Sequence, residues 1–305
     1  MLLIALGIVA AVAAGIGTER WDRARARRLA ALALNALLYV LLPLVALVNV
    51  GRLDVTAGVA AGIGIAYAAI VTVAVLAWLA ARRLGLPRPV AGATIVSTMV
   101  ANTGYLGIPL AGALLGHGAI ATAVAFDLVV SQPMLFLGAF GVGAAMGTEA
   151  GGDLRSRLRT FFARNLTLPA VVLGLLLPAS TFSTGVVDAS HVLVVLIAPV
   201  GFFALGVTMT GESESGELEL PPRITRAVAT AMGLRLVVAP AIVVGLATLV
   251  PGVPDAYLLA AAMPTGLNAL TAAHGYGLHA KTVASAIAWS TTVVLVVAAV
   301  AGAVA

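Results

Sequence analysis

The chain contains no cysteine, and only 10% of its 305 residues are charged. Without cysteine there is no disulfide framework, no thiol nucleophile and no thiolate metal site. A soluble domain is typically about 25% charged, so this chain has too few charges to coat a water-facing surface. That scarcity argues against a soluble enzyme, a nucleic-acid reader and a disordered regulator. Long hydrophilic stretches are missing too, which leaves no room for an attached soluble domain.

Apolar residues fill the space instead. The chain is 61% hydrophobic with 33 glycines, and its mean hydropathy is +1.11. A bilayer core needs about 20 mostly apolar residues in a helix. Ten stretches meet that need, at residues 2–17, 29–49, 56–81, 90–116, 118–146, 161–177, 186–210, 223–249, 255–277 and 280–303. They are continuous rather than alternating with period two, which argues against a β-barrel. No positive residue precedes the first stretch, so it reads as a retained span and not as a signal peptide. The sequence therefore predicts an all-α polytopic membrane protein whose surroundings are the lipid bilayer.

The cations fix the expected orientation. Arg20, Arg23, Arg25, Arg27 and Arg28 fall in the first connector, Arg82, Arg83 and Arg88 in the third, and Arg155, Arg157, Arg159 and Arg164 in the fifth. Arg223 and Arg226 belong to the seventh and Lys281 to the ninth, whereas Arg52 alone occupies the alternate side. Both termini are expected outside and the odd connectors in the cytoplasm, with the plasma membrane as the location. The net charge of +5 is then a topology signal, and no nucleic-acid partner is implied.

Residues 1–147 and 161–305 each hold five of the ten stretches, joined by a cytoplasmic connector at 148–160. Five is odd, so the second half enters the membrane from the opposite side, as in an inverted-topology repeat. The second stretch of each half carries a proline, Pro43 and Pro199. The fourth stretch of each half is interrupted by proline, glycine and asparagine, at 101–116 and again at 263–277. Proline removes a backbone donor and blocks the preceding turn. The freed backbone groups must then face protein or a wet cavity. Each interruption leaves a half-helix N-terminus near mid-membrane, with unpaired N–H groups and partial positive charge. Two such ends brought together make a site for an anion.

The stretch Asn102-Thr103-Gly104-Tyr105-Leu106-Gly107-Ile108-Pro109-Leu110, ending at Gly116, resembles the fourth-span motif of the auxin efflux carrier family. Pro264-x-Gly266 followed by Ala273, Tyr276 and His279 resembles its ninth-span motif. Arg235-Leu236 with Pro240-Ala241 is similar to its eighth span, and Pro43 stands where its second span has a proline. The resemblance implies ten helices in two inverted repeats, with helices 4 and 9 broken and crossing. It also implies a scaffold from spans 1, 2, 6 and 7 and a mobile core from spans 3–5 and 8–10. It implies elevator-type movement of a small organic anion, a carboxylate or an auxin-like molecule, and a homodimer through the scaffold. The plant members' long central loop is replaced here by the short connector, so regulation on that loop is not implied.

Asn102 and Asn268 are candidates to donate to a carboxylate; the competing reading is that each caps its half-helix. Thr103, Gly104, Tyr105, Pro109, Pro264, Thr265 and Gly266 are their neighbours in the two motifs. Arg235 and Asp127 are the ionisable residues deep in the spans, at similar depth, which makes an ion pair an expectation. Alternatively Arg235 attracts the anion and Asp127 takes a proton or sodium. Gln132, beside Pro133, and Ser97 are further ion-coupling candidates, and His274 is a candidate proton shuttle. His117, His191 and His279 read as incidental, and Asn49 as facing a moving core. No metal or other cofactor is expected, beyond possible coupling to a proton or sodium. A sodium symporter of the bile-acid type or a cation/proton antiporter is the alternative within the same fold group. An intramembrane enzyme would need a nucleophile with its base, paired aspartates or a metal set inside the spans, and the sequence offers none.

Overall fold

A computed structural model of the chain describes residues 2–53, 56–149, 155, 166–214 and 222–304. Most of the expected connector 148–160, with Arg157 and Arg159, lies outside the described residues, as do Arg164, Glu217 and Glu219. The described residues are helical. In chain order the helices are α1 (Leu2–Trp21), α2 (Arg23–Val50), α3 (Ala57–Arg83), α4 (Arg88–Met99) and α5 (Thr103–Leu114). Next come α6 (Ala119–Met146), α7 (Thr167–Leu176), α8 (Thr184–Glu214) and α9 (Arg226–Ala247). The last are α10 (Asp255–Ala261), α11 (Asn268–Tyr276) and α12 (Ala280–Val304). Six helices among the described residues are long and apolar enough to cross a membrane.

Local signals explain most boundaries. Thr56 and Thr225 sit just before α3 and α9, and their hydroxyls accept from Val59 N and Val228 N, each at 3.3 Å. Gly277, at φ +66°, ends α11 in the left-handed region that suits glycine. α2 begins six residues before the apolar run expected at 29. Asp22 caps it, accepting from Arg25 N at 3.0 Å, and Ala26 and Ala30 bury their faces against Ala204 and Val207. Hydropathy marks the lipid-depth part of a rod, whereas caps and packing set its length.

Prolines shape the rods from within. Widened π-helical turns cover Leu37–Leu41, Thr103–Gly107, Asp127–Ser131 and Leu234–Val238. Each ends two residues before a proline: Pro43, Pro109, Pro133 and Pro240. A proline ring has no N–H to give and crowds the carbonyl four residues back, so the turn opens. Thr103, Tyr105, Asp127 and Arg235 all lie on these widened turns.

Glycines bring other rods into backbone contact. A Cβ on Gly15 would lie 2.3 Å from Phe203 O, and one on Gly206 2.3 Å from Val12 O, so α1 and α8 touch along their main chains. α2 and α7 meet in the same way, since a Cβ on Gly51 would lie 2.5 Å from Gly174 O and one on Gly174 2.7 Å from Leu47 O. Asn49, expected to face a moving core, turns toward α8. Its Nδ2 donates to Val45 O at 2.8 Å and to Ser190 Oγ at 3.1 Å, fastening α2 to α8. The largest core cluster gathers Val96, Val100, Leu106, Met263, Ala269 and Ile287 around the two interruptions.

Candidate functional site

Both interruptions are real breaks, and they meet. α4 stops at Met99 and α5 starts at Thr103; α10 stops at Ala261 and α11 starts at Asn268. Between them, Ala101 and Thr265 form an antiparallel bridge. Asn102 N donates to Pro264 O at 2.8 Å and Gly266 N to Val100 O at 2.9 Å. Backbone that neither half can satisfy alone is thus satisfied by the other. Gly266 is needed for this closeness, because a Cβ there would sit 2.8 Å from Ala101 O. Gly266→Ala should therefore pry the bridge open, lowering the unfolding midpoint and cutting transport by about tenfold or more. Wild-type transport by this variant would show that the bridge is dispensable.

Charges are distributed around the bridge with opposite signs at opposite ends. On the side where α4 and α10 end, the Arg235 guanidinium is 2% exposed and donates to Thr98 O at 3.4 Å and to Ala261 O. Thr265 Oγ1 donates to the neighbouring Ser97 O at 2.8 Å. Arg235 and Thr265 thereby cap two helix C-termini, where carbonyls lack partners and the dipole is negative. On the side where α5 begins, the Asp127 carboxylate lies against Gly104, where an added Cβ would meet Asp127 Oδ1 at 3.3 Å. Thr103 Oγ1 donates to Asp127 Oδ1 at 2.5 Å and Gln132 Nε2 to Oδ2 at 3.2 Å. The expected ion pair between Arg235 and Asp127 is not formed. Each charge is matched to a helix terminus of opposite sign, so neither needs the other.

A narrow space of about 20 Å³ sits at the start of α5 and α11, lined by Asn102, Gly104, Asp127, Gln132, Gly266 and Asn268. It has room for about one water. It is continuous in its lining with a cavity of about 250 Å³ that shares Leu38, Leu42, Gln132, Leu135 and Asn268 and adds Tyr39, Phe136, Phe140 and Thr271. Another space, of about 150 Å³, adjoins α11 at Asn268, Thr271 and His274 and α8 at Ala204, Leu205 and Thr208. Both larger spaces run from the bridge toward the ends of α6, α8 and α11, the side where the arginines collect. An apolar vestibule with a polar tip is the usual form of a small-molecule site.

Asn102 is the most informative side chain at that tip. It is 3% exposed, its Nδ2 has no hydrogen-bond partner, and it makes no side-chain cap to α5. The capping reading therefore fails for Asn102, and α11 likewise has no side-chain cap, which removes that reading for Asn268. Tyr105 and Gln132 also line the space, and Thr103 reaches it through its hydrogen bond to Asp127. Thr265 and Pro264 belong to the bridge, Pro109 lies within α5, and none of the three lines the space; Ser97 is buried with its Oγ unpartnered. Ser131 was missed in the sequence: its Oγ lies 2.8 Å from Thr103 Oγ1, one helical turn from Asp127. Its position next to Gln132-Pro133 was the available signal. The rings of His117 and His191 lie against each other, tilted by 32° with 4.0 Å between centroids.

Comparison with curated proteins gives no match. Residues 167–301, a little under half of the chain, match the family model described as membrane transport protein.

Proposed function

We propose that the chain is a secondary transporter of an organic anion, working by alternating access at the bridge between the two interruptions. In this reading ten spans form two inverted repeats, 1–147 and 161–305, with both termini outside. α1, α2, α7 and α8 make a scaffold that also supplies the dimer face; the remaining helices move as one elevator unit that carries the bridge. The glycine contacts of α1 with α8 and of α2 with α7 support the stiffness of that frame.

The observation that carries the reading is the buried, unpartnered Asn102 Nδ2 between two half-helix N-termini, at the polar tip of a 250 Å³ vestibule. A carboxylate placed there accepts from Asn102 and from unpaired backbone N–H groups, while its apolar body lies among Leu38, Phe136 and Phe140. Because the vestibule runs toward the arginine-rich side, this conformation is the inward-facing one.

Asp127 lines the same tip, which sets a condition on the transported anion. Two carboxylates about 4 Å apart repel by roughly 4 kcal/mol at an effective dielectric constant near 20. Binding of the anion is therefore tied to neutralisation of Asp127, by a proton or by a cation held among Asp127, Thr103, Ser131 and Gln132. The test is anion affinity against pH, measured with and without sodium. Protonated Asp127 favours the bound state, so wild-type affinity should rise as pH falls, and Asp127→Asn should bind tightly with no pH dependence. If sodium replaces the proton, affinity rises with sodium instead, and the alternative of a bile-acid-type symporter gains. A pH- and sodium-independent wild type would remove the coupling role. An antiporter would call for paired carboxylates, and Asp127 is the one acid among the described residues lining the tip.

A further inference from the structure

A separate cavity of about 110 Å³ lies between the first turns of α9 and α12, away from the bridge. Arg223 and Lys281 are exposed at its mouth, Thr225 and His279 stand at its sides, and Thr282 and Ser285 form its floor. No aspartate or glutamate among the described residues lines it. The floor hydroxyls belong to residues only 4% and 5% exposed, three positions apart on one face of α12. Two helices begin here, and their N-terminal dipoles add to the positive field of the two side chains. His279 Nδ1 lies 2.9 Å from Thr282 Oγ1. Burial first, and Lys281 second, hold its imidazole below the ordinary range. It enters as a neutral hydrogen-bonding group, leaving the charge to Arg223 and Lys281.

The donor set is richer than a planar carboxylate with two oxygens uses. It combines a guanidinium fork, an ammonium and three hydroxyls arranged around one space. A tetrahedral oxyanion with three or four acceptor oxygens matches it. Arg223 and Lys281 also stand at the ends of apolar runs on the arginine-rich side, the level at which basic pockets between membrane helices take headgroups. We propose that this cavity binds a phosphate group, supplied by an anionic lipid headgroup or by free phosphate.

Trp289 provides a reporter. Its Nε1 donates to Pro222 O at 2.9 Å, tying the chain just ahead of Arg223 to α12. The chain has three tryptophans, so replacing Trp21 and Trp78 by phenylalanine leaves Trp289 as the single emitter. One arm titrates inorganic phosphate, at constant ionic strength, into this protein in phosphatidylcholine nanodiscs. A second arm raises the phosphatidic acid content of the nanodiscs with no phosphate present. The expected result is a saturable change in Trp289 emission in at least one arm, weakened about tenfold or more by Arg223→Gln with Lys281→Gln. A response to phosphate identifies the free ion as the source, and a response to phosphatidic acid alone identifies the headgroup. Lys281→Gln by itself, an exposed change on an intact helix, should give an intermediate loss. Silence in both arms overturns the proposal, as does a double variant that keeps its fold and responds like the unmodified protein.

Discussion

Proteoliposomes carrying Asn102→Ala should lose organic-anion transport by roughly ten- to a hundredfold. A hydrogen bond to a charged group contributes about 1.5–3 kcal/mol, and about 1.4 kcal/mol is a factor of ten in affinity. The stability effect has the opposite character. The Nδ2 removed is a buried donor with no partner in this conformation, so its loss relieves a desolvation cost and leaves the unfolding midpoint unchanged or slightly raised. That combination, a crippled carrier that is as stable as its parent, separates a binding role from a structural one. Normal transport would remove Asn102 from the site. Lost transport together with lost stability would reassign it to holding the bridge.

Arg235→Leu should show the reverse pattern. The guanidinium donates to Thr98 O and Ala261 O, the exposed ends of α4 and α10. An unsatisfied buried acceptor costs about 1–3 kcal/mol, so losing both contacts costs roughly 2–6 kcal/mol. The unfolding midpoint in urea or on heating should fall accordingly. The folded fraction should keep its anion affinity within about twofold, because Arg235 gives Nη1 and Nη2 to two carbonyls and does not line the space at Asn102, although its Nε is unpartnered. Arg235→Lys keeps the charge but replaces a planar fork by a point donor, so it should recover part of the stability. A large loss of affinity at unchanged stability would instead restore Arg235 to the anion site, the alternative role that its depth in the span suggests.

The breaks were legible because their causes are local. Pro, Gly and Asn clustered at 101–109 and 264–268 announce that a helix cannot continue, and the structure interrupts α4/α5 and α10/α11 there. The polar tip was legible for the same reason: Asn102, Gly104, Gly266 and Asn268 are where they are because the backbone opens at them. Partners distant in sequence were not legible. Arg235 reaches a carbonyl 137 residues earlier and another 26 residues later, and similar depth in the membrane suggested Asp127 instead. Depth is one coordinate of three, and it says nothing of which neighbours flank a residue around the helix. The same gap hid the contact of His117 with His191 and the turn of Asn49 toward Ser190. Gly116 shows a further limit. Its spacing from Gly112 suggests helix packing, but at φ +88° with nothing within 4 Å of a Cβ it serves as a turn.

The main-chain contacts between α1 and α8, and between α2 and α7, carry a consequence for handling the protein outside lipid. Oil-like side chains gain little by touching one another when the surroundings are equally oily, and detergent tails compete for them readily. Rods held carbonyl to Cα leave no crevice for an alkyl chain to enter. These two couples should be the last to part on solubilisation, outliving the looser joints around the vestibule. A preparation can thus retain its outline on a sizing column after it has forfeited its cargo pocket.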